Sequence, residues 1–373
     1  MFLALKEMRR AKVRFALLIA AVALLVFLIL FQQSLQNGLL RSFVGAIEHQ
    51  SAPVLVYAVD GQKVLQASII TPELEAAIRQ VPGVGAAGRL TQGSFAATVD
   101  GELVDVSVLG FDTVGVGSPI VGEGRLPRAT GEVVASDTDA DSGFGIGDFV
   151  RVEPGGLELT VVGLAPDAQL NAGPTMFATM ETYAAVLQAR NPDAVGVPLP
   201  NAIAVKPADG TSAAQAVAAI NAASDDLDAL TREDAAAQTP GVAQVRSSFL
   251  VIFLLYGIVV PLVIGLFFLI VTFQKAGALT LLRAIGAPAK RLVQSLLVQV
   301  VIVLGAGYLV GLLLYIPISK QRLGSIPLRF ETTAVIVWAV LLIGLGLLAS
   351  LVSARRVLQI DPIEATTGAG AVR

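Results

Sequence analysis

The chain has 373 residues, of which 54% are hydrophobic and 15% charged, with a net charge of −3 and no cysteine. Soluble domains carry about 25% charged residues, so the composition excludes an ordinary soluble protein. The missing cysteine excludes disulfides, thiolate catalysis and Cys-based metal sites.

In chain order, residues 1–14 interleave Phe2, Leu3, Leu5, Met8 and Val13 with Lys6, Arg9, Arg10, Lys12 and Arg14, a pattern that predicts an interfacial amphipathic helix. Residues 15–40, 247–274, 292–319 and 332–354 contain no Asp, Glu, Lys or Arg. Each exceeds the about 20 apolar residues that a helix needs to cross a bilayer core, so four transmembrane helices are expected. The first is read as a retained span, because its uncharged run is too long for a signal-peptide core and no small-x-small cleavage site follows Gln36-Asn37-Gly38.

Between the first two spans, residues 41–246 predict an extracytoplasmic α+β domain. Its β-rich runs are 54–59, 103–109, 132–135, 148–152 and 157–162, punctuated by Gly, Pro and Asp. Helices are expected over 71–80, which opens with a Thr-Pro-Glu start signal, over 180–190 and over 212–223. The Ala-rich acidic run 225–237 reads as the lead into the second span. Residues 275–291 form a short helix-like loop, 320–331 a short outer loop and 355–373 a tail. From 42 to 246 there are 25 acidic against 10 basic residues. Lys and Arg instead flank the spans at 6–14, at Lys275, Arg283, Lys290 and Arg291, and at Arg355 and Arg356. Positive flanks stay in the cytoplasm, so both termini are expected there.

Catalytic motifs are missing. Gly83-Val84-Gly85-Ala86-Ala87-Gly88 matches G-x-G-x-x-G, but it follows a predicted helix and Pro82 rather than a strand, so a helix-ending loop is expected, not a dinucleotide site. No P-loop, G-x-S-x-G or H-E-x-x-H occurs, and there is one histidine. Any ATP hydrolysis would therefore have to come from another polypeptide. His49, beside Glu48 after the first span, reads either as a solvated polar residue or as a haem, metal or proton site completed across a dimer. Asp137, Asp139 and Asp141 lack the Gly and Glu of an EF-hand loop and are expected on a solvated acidic loop. The spans hold amides such as Gln32, Gln33 and Gln299 but no ionisable relay of the kind proton-coupled carriers use. Glu48, His49, Gln33 and Tyr256 make up the candidate substrate-binding set, with no metal site. Gly307 and Gly311 are spaced for close helix packing.

The run 272–287, with Lys275, Leu279, Leu282, Arg283, Ile285 and Gly286 and with Lys290-Arg291 following, is similar to the segment R-E-I-G-x-L-[KR]-A-[IL]-G-A of FtsX/MacB-type ABC transporter permeases. Ala276-Gly277 stands where that family has its acidic residue. The closing run from Ala354-Arg355-Arg356 to Pro362-Ile363-Glu364-Ala365 resembles the family's A-x-R-x-x-x-x-x-P-x-E-A-L. In the outer domain, Phe144-Gly145-Ile146-Gly147-Asp148 resembles its L-G-x-x-G-D turn. Within the family, Leu3-Ala4-Leu5-Lys6-Glu7-Met8 and Gln36-Asn37-Gly38-Leu39 resemble the smaller permeases that include haem exporters and DevC-like proteins.

The resemblance implies a homodimeric, non-catalytic permease in a bacterial cytoplasmic membrane, seated on two copies of an ABC ATPase. Lys275, Leu279, Leu282, Arg283, Ile285, Gly286 and Lys290 would form the ATPase-coupling helix. No cofactor is expected on this chain: ATP and Mg²⁺ belong to the ATPase, and haem enters as a substrate. The implied function is efflux of a hydrophobic or amphipathic molecule, haem first and then a drug or lipid. The alternative is mechanotransmission, in which the outer domain regulates a cell-wall enzyme or sensor and nothing crosses.

Overall fold

The computed structural model describes residues 11–194, 196–274, 289–323 and 326–358. The chain divides into two compact units. One comprises Met1–Gln36, Ser248–Gln321 and Leu328–Arg373; the other comprises Asn37–Ser247 with Arg322–Pro327.

The first helix, α1 (Lys12–Glu48), runs 37 residues. Ten strands of the second unit then form one sheet. In chain order the elements are β1 (Val54–Ala58), α2 (Pro72–Gln80), β2 (Val84–Val99), β3 (Glu102–Phe111), β4 (Glu123–Gly124), β5 (Glu132–Ser136) and β6 (Phe149–Val152). There follow β7 (Leu157–Ala165), β8 (Thr175–Thr179), α3 (Met180–Arg190), β9 (Ala202–Pro207), α4 (Ala213–Ala223), β10 (Leu227–Thr231) and α5 (Arg232–Gln238). The strand order is β10-β1-β9-β2-β3-β8-β5-β7-β4, with β6 bridging β2 and β7. Pairs β3–β8 and β5–β7 are parallel and the others antiparallel.

Strand β1, Val-Leu-Val-Tyr-Ala, is buried at every position, as an unbroken apolar run between two neighbours should be. The β2–β3 hairpin turns on Asp100-Gly101, at φ 50° and 86°, the left-handed conformations that favour Asp-Gly in a two-residue turn. Helices α2 to α5 each start at a Thr or Ser whose side chain accepts a backbone N–H in the first turn, which satisfies a donor left free at helix starts. Ser212 and Gln215 complete a reciprocal capping box.

Two local expectations are corrected, and a third segment is resolved further. Residues 83–88 are not a loop, since β2 begins at Val84. An added Cβ would lie 2.9 Å from the Pro207 carbonyl oxygen at Gly85 and 2.4 Å from that of Val116 at Gly88, so these glycines admit neighbouring backbone rather than a phosphate. Within the run 225–237 that leads to the second span, Leu227–Thr231 pairs with β1 and the helix is Arg232–Gln238. Asp137, Asp139 and Asp141 lie on a 3₁₀ turn (Asp137–Ser142) with Asp139 buried.

The first unit is built from α1, α6 (Val242–Gln274), α7 (Ala289–Ile318) and α8 (Thr332–Leu358), four helices long and apolar enough to cross a membrane. The Gly307–Gly311 pair acts as its spacing predicts. A Cβ at Gly307 would meet Val22 at 2.6 Å, and one at Gly311 would meet the Ala23 carbonyl oxygen at 2.5 Å. Small residues let α7 approach α1 where no hydrophobic effect drives helices together in lipid. Ser34 Oγ and Tyr315 Oη both donate to the Arg329 carbonyl, at 2.9 and 3.0 Å.

Candidate substrate and coupling sites

Within the membrane unit, two members of the substrate-binding set gather around one aromatic cluster. Trp338 Nε1 donates to Gln33 Oε1 at 3.4 Å, and Gln33 Nε2 donates to Gln36 Oε1. The Trp338 ring lies 5.4 Å from that of Phe253, which lies 6.5 Å from Tyr256 and 6.3 Å from Phe249. Aromatic faces of this kind offer large apolar area together with a few polar handles. Gln33 and Tyr256 are half-buried.

Glu48 and His49 belong to the other unit, at the end of α1. Both are half-buried. His49 Nδ1 lies 3.1 Å from the Gly45 carbonyl of its own helix, and its own carbonyl accepts from Ile120 N–H. Among the described residues, no three His, Asp or Glu side chains gather into a metal-binding set.

Sequence reasoning missed what surrounds this helix end. The connection between β7 and β8 runs across α1 as a strap. Asn171 and Ala172 N–H donate to the carbonyls of Phe43 and Ser42, at 3.1 and 2.8 Å, and Ala46 N–H donates to Gln169 O at 2.9 Å. Gly45 makes the crossing passable, since a Cβ there would lie 2.0 Å from the Asp167 carbonyl oxygen. Gly38, seven residues earlier, does the same for the Pro327 carbonyl at 2.3 Å. The 3₁₀ turn holds the strap from its other side. Asp137 accepts from Asp167 N–H, and Asp139 accepts from the Gln169 amide and Thr175 N–H. The signal available in sequence was two glycines at heptad spacing, Gly38 and Gly45, in the last part of α1.

Burial pushes the Asp139 carboxyl up to about 6, against the lowering effect of Gln169, Thr175 N–H and the charge of Arg322. An unfolded Asp titrates near 4, so the folded state binds this proton more tightly. The resulting stability is full below about pH 4 and is lost as pH rises through about 6. A shift of this size corresponds to roughly 2–3 kcal/mol. The outer unit is expected to gain resistance to unfolding on acidification across this window, and Asp139→Asn to flatten that gain. An unchanged pH profile of thermal unfolding in the variant counts against the assignment.

Of the coupling residues, Lys275, Leu279, Leu282, Arg283, Ile285 and Gly286 lie outside the described residues, as do 1–10 of the N-terminal amphipathic segment and 359–373 of the tail. Lys290 lies in the first turn of α7.

The family model for the MacB-like periplasmic core domain matches residues 15–223. An ABC transporter permease of Mycobacterium tuberculosis (strain H37Rv) is 26% identical over 370 residues, covering 99% of both chains. A permease protein named for hemin transport, from Staphylococcus epidermidis (strain ATCC 12228), is 23% identical over 371 residues with 99% of both chains covered. Among solved structures, the periplasmic region of MacB from Actinobacillus actinomycetemcomitans aligns at 13% identity and TM-score 0.36, covering 50% of this chain and 92% of that one. Four membrane-crossing helices with an α+β domain between the first and second define an integral membrane protein with a large inserted domain. The chain belongs to the FtsX/MacB-type family of ABC transporter permeases.

Proposed function

We propose that this permease works as a homodimer in a bacterial cytoplasmic membrane, both termini cytoplasmic, and couples ATP hydrolysis by two separate ATPase subunits to efflux of a hydrophobic or amphipathic substrate. Haem is the leading candidate. The observation that carries this reading is the cluster of Trp338, Phe253, Tyr256 and Gln33, which offers a flat apolar ring system stacking area beside polar groups. The full-length relatives named for hemin transport support the substrate class. In the proposed cycle, ATP-driven closure moves the segment 275–291, and the spans pass that movement to the outer unit. ATP and Mg²⁺ stay on the partner ATPase, and haem is cargo rather than a resident group.

The test is spectroscopic. Haem titrated into the purified full chain is expected to shift its Soret band saturably. Trp338→Ala or Tyr256→Ala is expected to weaken binding about tenfold or more, the loss of about 1.4 kcal/mol or more of aromatic contact. His49→Ala and Glu48→Gln then decide whether the helix end supplies a ligand. No saturable shift in the wild type rejects haem and moves weight to mechanotransmission.

A further inference from the structure

The membrane unit carries a groove that none of the proposed transport residues lines. Helix α1 contributes Arg14, Leu17 and Ala21, and α6 contributes Phe267, Ile270 and Gln274. The residues on each helix lie three, four or seven apart, on one face. They border a space of about 450 Å³. Of its lining residues, Phe267 is packed edge-on to Phe15, ring centres 6.2 Å apart. Its rims stand open, with Leu17 67% and Ile270 46% exposed.

The groove is polarised along its length. At one end the Arg14 guanidinium donates to Gln274 Oε1, and beyond that the lining is apolar. Residues 14 to 21 span about 10 Å of helix, enough for a large part of an acyl chain. Among the described residues no acidic side chain pairs with Arg14, and neither 15–40 nor 247–274 contains one. The guanidinium there faces the neutral amide of Gln274. Arg14 is also the last basic residue before the uncharged run of α1, which sets it at headgroup depth.

We infer that this groove binds an anionic phospholipid, with its phosphate on Arg14 and one acyl chain laid between Leu17, Ala21, Phe267 and Ile270. Guanidinium matches phosphate geometry with paired N–H donors, while a zwitterionic headgroup brings its own cation to the same place. The site is distinct from the substrate cluster. Gln33 lies about 24 Å further along α1 than Leu17 by helical rise, toward the other membrane face. Under the orientation proposed above, the lipid comes from the cytoplasmic leaflet and lies against the end of α6 that leads into the coupling segment. The inference itself needs only the groove.

The full chain is purified from bilayers of equimolar phosphatidylglycerol and phosphatidylcholine with the same acyl chains, and retained lipid is counted by native mass spectrometry. Phosphatidylglycerol is expected to be retained in preference. Arg14→Gln is expected to reduce that preference about fivefold, the effect of one cation near an anionic surface, and Arg14→Lys to keep most of it. Ala21→Trp, which fills the groove, is expected to abolish retention without changing the thermal midpoint. A phosphatidylglycerol carrying a photoreactive acyl chain should label residues 14–21 and 263–274. Equal retention of the two lipids, an unchanged preference in Arg14→Gln, or labelling elsewhere overturns the inference. So does displacement of the lipid by haem, which makes the groove a substrate route. Haem binding in the Soret assay is read separately, so this site and the transport reading fail independently.

Discussion

Gly45→Val is expected to destabilise the outer unit by about 3 kcal/mol or more, at the upper end of overpacking costs. The size follows from what the new atoms meet. A Cβ at Gly45 lies 2.0 Å from the Asp167 carbonyl oxygen and 3.1 Å from its carbon, and backbone cannot swing aside as the end of a long side chain can. Moving the strap away breaks the Ala46 N–H to Gln169 bond and the two bonds from Asn171 and Ala172 to α1. It also pulls on Gln169 and Asp167, which Asp139 and Asp137 hold. Gly45→Ala carries the same clash with less bulk and should fall between. Gly257→Ala and Gly344→Ala are the controls: nothing lies within 4 Å of either added Cβ. In a helix interior the change from Gly to Ala gains roughly 0.5–1 kcal/mol, so both are expected to be neutral or stabilising. Limited proteolysis of the full chain reads the outcome, through cleavage within 37–247. Wild-type resistance in Gly45→Val would show that the strap is not packed on α1 as described.

The membrane helices were legible because their signal is a sum over 20 or more residues, which no local context reverses. The outer unit was legible in part. The run 132–135 became β5 because it is nearly all apolar and buried within the sheet, and 157–162 became β7 because it alternates, with Leu159 and Val161 buried and Glu158 exposed. Strand β2 was missed because its glycines mimic a phosphate loop, and their cause, the approach of Pro207 and Val116, lies far along the chain. The hairpin signal Asp100-Gly101 was present and locally decisive. It extends the run 103–109 backwards into a partner strand.

The candidate site divides the same way. That Gln33 belongs with an aromatic group was readable only as a polar residue in a span. Its partner Trp338 is 305 residues away, and no spacing rule links them. Asp139 was read as solvated because three aspartates at alternate positions look like a surface loop. Gln169 and Thr175, some 30 residues on, turn one of them inward. Buried polar groups require partners, but which partners they find is set by the sheet's register, not by the local sequence.

Leu282→Asp, or Ile285→Asp, is expected to abolish assembly with the ATPase while leaving the four membrane helices folded. The segment offers Leu279, Leu282 and Gly286 at helical spacing, with Ile285 beside them and Lys275, Arg283 and Lys290 around them. Under the coupling role proposed above, these residues would meet the ATPase as an apolar face with basic residues around it, the usual anatomy of a protein interface. An Asp at the centre of such a face must be desolvated without a partner, and truncating a central anchor alone costs about 2–4 kcal/mol. A loss of that size weakens association by about 30-fold to several hundred-fold, enough to separate the complex at ordinary concentrations. If the segment docks as proposed, Lys290→Gln is expected to act mainly through association rate and salt dependence, with a much smaller loss. Co-purification of a co-expressed ATPase measures assembly, and the thermal midpoint of the permease alone monitors its fold. Stimulated ATP hydrolysis gives a third readout: Leu282→Asp should return it to the rate of the isolated ATPase. Retention of normal complex with either Asp variant removes residues 279–286 from the interface. Loss of the permease's own thermal midpoint instead assigns the segment a role in folding.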